Sequence, residues 1–455
     1  MQKTYVLDTN VLIQTPYALI SFEENKVVLP LAVLEELDKM KTDEGERGAN
    51  ARQVIRFLER LRQTGNLFEG VSLDAGGSLK IESNYVSVEL PYGFHSDKND
   101  NRILKVCRGL MDAGEPVVLV TKDIIVRLKA QMLKIPAEDF TTEQSPRLEE
   151  QYTGRADVYA PGELMNEFRR KGLPIDEAYV MNKETKVKVE PENNQFFIIH
   201  SDSDDNKTLL GRFNGKSIVP LVSLKAEPFG VKPRNVGQRF LQEALLQDAD
   251  TAPLVIVKGT AGTAKTFYSL AAGLEQTLEA DSKAYRKILI TRPNVQFDEE
   301  IGFLPGTEQE KIAPFLRPII DNLEILVDRS EKERYKNEKE LRDKIDELFD
   351  RGVITAEAMN FMRGRSITHT YLIIDEAQNL TPRQVKGIVT RVGKGTKVVL
   401  LGDPQQIDNP LLDERTNGLS YASEKMRGSP LCFQLTMLPG ECERSPLAYD
   451  ATKRM

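Results

Sequence analysis

Short apolar runs recur along the chain, and what separates them divides it into three regions. Over residues 1–145 the runs YVL (5–7), VVL (27–29) and VVLV (117–120) alternate with helix-spaced stretches such as ARQVIRFLERLRQ (51–63). That alternation predicts a parallel sheet with crossover helices. Over 146–232 the runs are β-prone: KVKVE (186–190), QFFIIH (195–200) and SIVPLV (217–222), parted by the polar turns ENN, DSDDN and NGK. A small antiparallel barrel or sheet is expected there. From 233 to 455, LVIVK (254–258), KILIT (287–291), YLIID (371–375) and KVVLLGD (397–403) again precede helix-like segments, giving a second α/β unit. Within it, SEKERYKNEKELRDKIDELFDR (330–351) reads as a solvated surface helix or hairpin. SPRLEEQYTGR (145–155) is polar and reads as a linker.

Composition narrows the class. At 455 residues the chain exceeds one ordinary domain, and 40% hydrophobic with 29% charged residues is the balance of a soluble globular protein. No run approaches the ~20 apolar residues of a membrane span, and MQKTYVLDTN lacks a signal-peptide core. Cys107, Cys432 and Cys442 form no C-x-x-C pair, so neither a disulfide framework nor a zinc site follows, and a cytoplasmic setting is expected. A net charge of −7 argues against a surface coated in basic charge, yet 62 Lys and Arg leave room for a local basic groove. Aromatics make up 7% with no tryptophan, so no stacking platform for bases is evident.

The chemistry-bearing segments lie at the ends of the apolar runs. LVIVKGTAGTAKT (254–266) runs from a strand into a glycine-rich turn close to G-x-x-x-x-G-K-[ST]. Backbone N–H groups of Gly259, Thr260, Ala261, Gly262, Thr263 and Ala264 suit the phosphates of ATP. Lys265 suits the β/γ oxygens, and Thr266 a bound Mg²⁺. Ala264 stands where the motif has glycine. At positive φ an alanine there costs about 1 kcal/mol, otherwise little, so ATP binding is expected to survive. In YLIIDEAQN (371–379), Asp375 is the metal-side carboxylate and Glu376 the group that orients and deprotonates the attacking water. Gln406, in VVLLGDPQQID (398–408), is placed to sense the γ-phosphate. Arg444, in ECERSPL (441–447), is a candidate transition-state arginine, or a surface arginine in a polar tail.

Together these segments resemble the PhoH family of ATPases, whose motor core is similar to that of superfamily 1 helicases. GTAGTAKT, ITRPNVQFDEEIGFLPGT (290–307), IIDEAQN, GDPQQ and ERS occur in family order over 233–455. The resemblance implies a RecA-like P-loop NTPase domain in which Gln238, in NVGQRFLQEAL, reads the adenine edge. Arg292 and the FLPG segment would face the nucleotide or nucleic acid. It also implies a homo-oligomer, with a hexameric ring as the suggested form, in which Arg444 acts within or between subunits.

The N-terminal region carries acids at comparable places. Asp8 ends the strand of YVLDTNVLI (5–13), and Glu35, Glu36 and Asp38 follow the second strand in LPLAVLEELDKMK (29–41). Asp97 and Asp100 open a helix in HSDKNDNRIL (95–104), and Asp123 follows a strand in VTKDIIVRL (120–128). The C-terminal strand ends of a parallel α/β sheet form a crevice where such acids can converge, and clustered carboxylates call for a hard cation, Mg²⁺ or Mn²⁺. Asp8, Asp97, Asp100 and Asp123, each taken singly, read as helix caps, and it is four such positions together that make coincidence less apt. The set resembles a PIN domain, the fold of many metal-dependent ribonucleases. That resemblance implies Asp8, Glu36, Asp100 and Asp123 as metal-binding acids, with Asp8 and Asp100 central to catalysis. It makes Asp97 a supporting ligand and Asn10 the residue that orients Asp8. His95 reads as a loop residue, and His200 and His369 show no partner pattern.

The expected architecture is therefore α/β: a PIN-like domain (1–145), a β-rich connector or RNA-contacting module (146–232) and a P-loop ATPase domain (233–455). The expected function is an ATP-dependent RNA helicase or remodelling motor coupled to a Mg²⁺/Mn²⁺-dependent endoribonuclease. Its rivals are an ATP-switched RNA- or protein-binding regulator and a small-molecule P-loop kinase. The Asp-Glu pair, GDPQQ and the acid cluster count against the kinase.

Overall fold

The computed structural model describes residues 2–43, 46–73, 76–92, 94, 98–140, 145–182, 185–279, 284–293, 308–330, 338–357, 367–409 and 411–442. By its internal contacts the chain forms two compact units, Met1–Gln144 with Asp408–Asp413, and Ser145–Ile407 with Glu414–Met455.

The first unit is built on strands β1 (Thr4–Leu7), β2 (Lys26–Pro30), β3 (Val71–Ser72), β4 (Ser78–Glu82), β5 (Val117–Val120) and β6 (Ala137–Glu138), in the order β3-β4-β2-β1-β5-β6. Every pairing is parallel except β3 with β4. The helices are α1 (Thr9–Leu12), α2 (Leu31–Met40), α3 (Glu46–Thr64), α4 (Asn99–Asp112) and α5 (Ile124–Met132). The chain leaves β1 toward β2 on one side and later returns to β5 on the other. The C-terminal end of β1 is thus the point where strand order reverses, the usual seat of a site in an open α/β sheet.

The second unit holds two sheets. The first comprises β7 (Arg155–Ala160), β8 (Leu173–Pro174), β9 (Tyr179–Asn182), β10 (Thr185–Lys188), β11 (Phe196–Ser201), β12 (Thr208–Phe213) and β13 (Ser217–Pro220), with helix α6 (Gly162–Lys171). Its order is β10-β9-β7-β11-β12-β13-β8. The expectation of an antiparallel element is corrected at one pairing: β7 and β11 run parallel. A hidden amphipathic helix explains the difference. Met165 and Phe168 of α6 pack with Val158, Ala160, Phe197 and Ile199, so the chain leaves the sheet after β7 before continuing it. The 145–155 stretch holds a single 3₁₀ turn (Leu148–Glu150) before β7, but it is docked: Gln151 is buried and accepts from Lys258 Nζ at 3.2 Å.

The other sheet is wholly parallel: β14 (Leu254–Lys258), β15 (Lys287–Thr291), β16 (Ile354–Ala356), β17 (Thr370–Ile374), β18 (Lys397–Gly402) and β19 (Cys432–Thr436), in the order β16-β15-β17-β18-β14-β19. Strands such as LVIVK and TYLII are apolar at nearly every position because helices cover both faces. Alternate residues feed separate cores: Val255, Val257, Tyr371 and Ile373 on one side, Leu254, Ile256, Leu372 and Ile374 on the other. The remaining helices are α7 (Val236–Leu246), α8 (Lys265–Leu274), α9 (Glu308–Ser330), α10 (Glu338–Asp350), α11 (Pro382–Val389) and α12 (Gly418–Lys425). The charged 330–351 segment is helical as α10, but it is not merely solvated. Its Ile345 and Leu348 are buried in the same core as Leu323 and Leu326 of α9.

Lys397, at the start of β18, is fully buried and donates to the carbonyls of Ala244, Leu245 and Gln247, closing the C-terminal end of α7.

Candidate active sites

In the second unit, β14 leads into the glycine-rich loop and α8 starts at its end, at Lys265. Gly262 has φ +84° and Ala264 sits at φ +61°, ψ +24°. The alanine thus occupies the left-handed conformation that favours glycine, at a cost of about 1 kcal/mol. Lys265 Nζ donates to the Gly259 carbonyl at 2.6 Å and the Thr260 carbonyl at 3.0 Å. Burial lowers the Lys265 pKa, against the opposing pull of Asp403, Asp375 and Glu376.

Two strands away, β17 delivers Asp375 and Glu376. Thr266 Oγ1 donates to Asp375 Oδ1 at 3.1 Å, so the loop and the acid strand already meet at the pair expected to hold Mg²⁺. Asp375 is buried, and that burial, reinforced by Glu376, raises its carboxyl above the usual range while Arg292 and Thr266 oppose the shift. A buried hydroxyl–carboxylate pair with a second acid beside it suits a hard divalent cation. Glu376 adopts φ +56°, and its carboxylate is held on both oxygens: Arg292 donates to Oε1 at 2.9 Å and Gln378 Nε2 to Oε2 at 2.7 Å.

Strand β18 lies between the loop strand and the acid strand and closes the gap. Gly402 accepts from Gly259 N at 3.1 Å, and a Cβ at Gly402 would strike Gln378 Oε1. Gln378 also donates to the Gln406 carbonyl at 2.8 Å, whereas the Gln406 side chain is exposed. Gln238 is fully buried on α7, its Oε1 taken by Arg234 N at 2.7 Å and Tyr268 Oη at 2.9 Å. Arg444 lies outside the described residues. Cys442, two positions before it, donates its thiol to the Ala261 carbonyl at 3.4 Å. Sequence reasoning missed Gln378 and the grip of Arg292 on Glu376. The only signal was Gln378's place in the IIDEAQN string.

In the first unit, Asp8 sits at the C-terminal end of β1, 5% exposed. Asn10 Nδ2 donates to its Oδ2 at 2.8 Å and Thr121 Oγ1 at 2.6 Å. Burial raises the Asp8 pKa to about 6; Asp100 and Glu36 add to the rise as like charges. Glu36 accepts from the Thr9 hydroxyl and from Asn99 Nδ2 (2.7 Å), whereas Glu35 is drawn away into an ion pair with Arg102 at 2.6 Å. Asp100, in the first turn of α4, pairs with Lys129 at 3.2 Å. Asp123 caps α5 through Ile125 N at 2.7 Å. Asp97 and His95 lie outside the described residues. Among the described residues no three acids or other ligating side chains stand close enough to share an ion. Asp8, Glu36 and Asp100 are the oxygen donors a hard cation takes, and their like charges raise the Asp8 carboxyl, but they are not gathered into a ligand cluster.

Fold and site together define a P-loop ATPase with a nuclease-like PIN domain at its N-terminal end. Residues 230–455 match the family of PhoH-like proteins, and residues 5–141 match the PIN domain. The chain is 42% identical over 460 residues to Protein PhoH2 of Bacillus subtilis, covering 99% of each. It is 32% identical over 458 residues to Protein PhoH2 of Mycolicibacterium smegmatis (100% of this chain, 97% of that one). With Protein PhoH2 of Thermobispora bispora it shares 33% over 457 residues (100% and 96%). The chain belongs to the PhoH2 family. No helix among the described residues is long and apolar enough to cross a membrane.

Proposed function

We propose that the chain is an ATP-driven RNA-remodelling motor coupled to a Mg²⁺- or Mn²⁺-dependent endoribonuclease, working in the cytoplasm as a homo-oligomer. Residues 1–145, 146–232 and 233–455 would serve as nuclease, connector and motor. The observation that carries the motor half is the Thr266–Asp375 hydrogen bond with Glu376 clamped beside it. Backbone N–H groups of Gly259–Thr266 and the N-terminal end of α8 receive the phosphates, and Lys265 exchanges the Gly259 and Thr260 carbonyls for phosphate oxygens. Thr266 and Asp375 would hold Mg²⁺, which neutralises charge on the β and γ oxygens. Glu376, oriented by Arg292 and Gln378, takes the proton of the attacking water. Gln238 would contact the adenine, Gln406 the γ-phosphate and Arg444 the transition-state charge.

For the nuclease half, Asp8, Glu36 and Asp100, with Asp123, would hold the ion. That ion supplies activated water and stabilises the leaving oxygen of the phosphodiester. Support comes from the raised Asp8 carboxyl, which a cation would relieve. The pairing of Asp100 with Lys129 and the capping role of Asp123 favour the alternative, an ATP-switched binding regulator that cuts little.

RNA-stimulated ATP hydrolysis tests the motor, and the absence of stimulation overturns it. Asp8→Asn with Asp100→Asn should abolish metal-dependent RNA cleavage and spare ATPase activity. If the unaltered protein cuts no RNA in either metal, the regulator reading replaces the nuclease.

A further inference from the structure

The seven-stranded sheet of the second unit gathers aromatic side chains that the sequence scatters. Cross-strand register places Lys188 of β10 opposite Tyr179 of β9, Tyr179 opposite Tyr159 of β7, and Tyr159 opposite His200 of β11. Alternate residues of a strand share a face, so Met181 and Lys186 stand on that face too. The ring centroids of Tyr159 and Tyr179 are 6.0 Å apart with planes 24° from parallel, and those of Tyr159 and His200 are 5.4 Å apart. Lys186 Nζ lies 4.0 Å from the Tyr179 centroid.

Tyr159 is 37% and Met181 46% exposed, although the opposite face of the same strands is sealed by α6. The acids here hold ring edges: Asp157 bonds His200 Nε2 at 2.8 Å, and Asp202 accepts from Tyr179 Oη at 3.3 Å and lies 3.9 Å from Lys186. At its other end this face continues onto the ATPase core. Phe196 of β11 stacks on Phe240 of α7, centroids 4.8 Å apart, and α7 is the helix that carries Gln238.

We propose that this row is a stacking platform for single-stranded RNA. Bases lie on Tyr159, Tyr179 and His200, and Lys186 and Lys188 take the phosphates. A line of aromatic rings flanked by ammonium groups matches what an unpaired strand offers, π-faces on one side and phosphates on the other. The platform rests on the reading that the motor acts on RNA and names the surface that first holds the strand. Composition alone made no such platform evident, with aromatics at 7% and no tryptophan. Thirteen tyrosines and no tryptophan suffice once three strands align two of those tyrosines with a histidine.

The test is binding of a fluorescein-labelled single-stranded oligouridylate of about 16 nucleotides to the full chain, followed by anisotropy. Tyr159→Ala with Tyr179→Ala should weaken binding at least about 10-fold, with ATP binding and thermal unfolding unchanged. Tyr159→Phe with Tyr179→Phe, which keeps the rings, should bind like the unaltered protein. Lys186→Gln with Lys188→Gln should flatten the dependence of log affinity on log salt by about 1.4. Unaltered RNA affinity in the double alanine variant overturns the platform while leaving the motor reading intact, and assigns the face to a protein partner. If the unaltered protein binds no RNA, the motor reading fails and the platform with it.

Discussion

Arg292 grips Glu376 at 2.9 Å while its Nε lies 3.7 Å from the second acid, Asp375. One guanidinium therefore holds the carboxylate proposed as the base and works against the burial that raises the Asp375 carboxyl. Arg292→Ala should slow ATP hydrolysis by about 100-fold, the cost of a base that has lost its position. It should also move the acid limb of the pH–rate profile to higher pH. Asp375 is already raised by burial, and without the arginine it loses its proton only at higher pH. An unmoved acid limb, measured over a Mg²⁺ series, would remove Arg292 from this role.

Glu376→Gln should retain ATP binding and lose roughly 10²- to 10⁴-fold in turnover. Unchanged turnover in a steady-state assay sinks its assignment as the base.

Ala264 holds φ +61° at the mouth of α8. Ala264→Gly should therefore stabilise the second unit by about 1 kcal/mol, read as a shift in the urea midpoint. A loss of stability on this substitution would show that the left-handed alanine is not strained.

Asp8 gives a pH-dependent prediction whose sign is unusual for a carboxylate. Its folded pKa of about 6 lies above the ordinary value of 3.8. The folded state thus holds an extra proton between those values, and this contribution to stability, complete below about pH 4, is lost as pH rises through 6. At neutral pH the ionised Asp8 costs folding up to about 3 kcal/mol. Asp8→Asn should be the more stable protein at pH 7, with the advantage vanishing toward pH 4, and Mg²⁺ should stabilise the unaltered chain more than the variant. Thermal melts across pH with and without Mg²⁺ decide it, and a variant less stable at pH 7 refutes the relation.

Lys397 closes α7 from inside the core. Lys397→Met leaves the carbonyls of Ala244, Leu245 and Gln247 without their donor and should cost about 1–3 kcal/mol. Chemical denaturation measures it directly, and a loss under about 1 kcal/mol would mean that neighbouring groups replace the ammonium.

Both α/β sheets were legible in the sequence because a buried parallel strand writes itself as an unbroken apolar run ending in a functional turn. The loop at 259–266 and the acids at Asp375 and Asp8 followed from those strand ends. Cross-strand neighbours were not legible. Tyr159, Tyr179 and His200 lie about twenty residues apart, and only register brings them together, so neither the aromatic share nor local pattern showed the row or the partner of His200. The parallel β7–β11 pairing stayed hidden for a related reason. The apolar positions of α6, Leu164, Met165 and Phe168, share one helical face but span little more than a turn, too short a signal to stand out among β-prone runs.

Arg155 of β7 and Glu441, both about nine-tenths buried, form an ion pair at 2.8 Å, and the same carboxylate accepts from Gly237 N and Leu438 N. A fragment trimmed to begin at residue 233 would keep every nucleotide motif and still bury a carboxylate stripped of its counter-charge. The β-rich insert is thus no detachable accessory. Any shortened version of this ATPase would have to replace Glu441 together with the segment it discards.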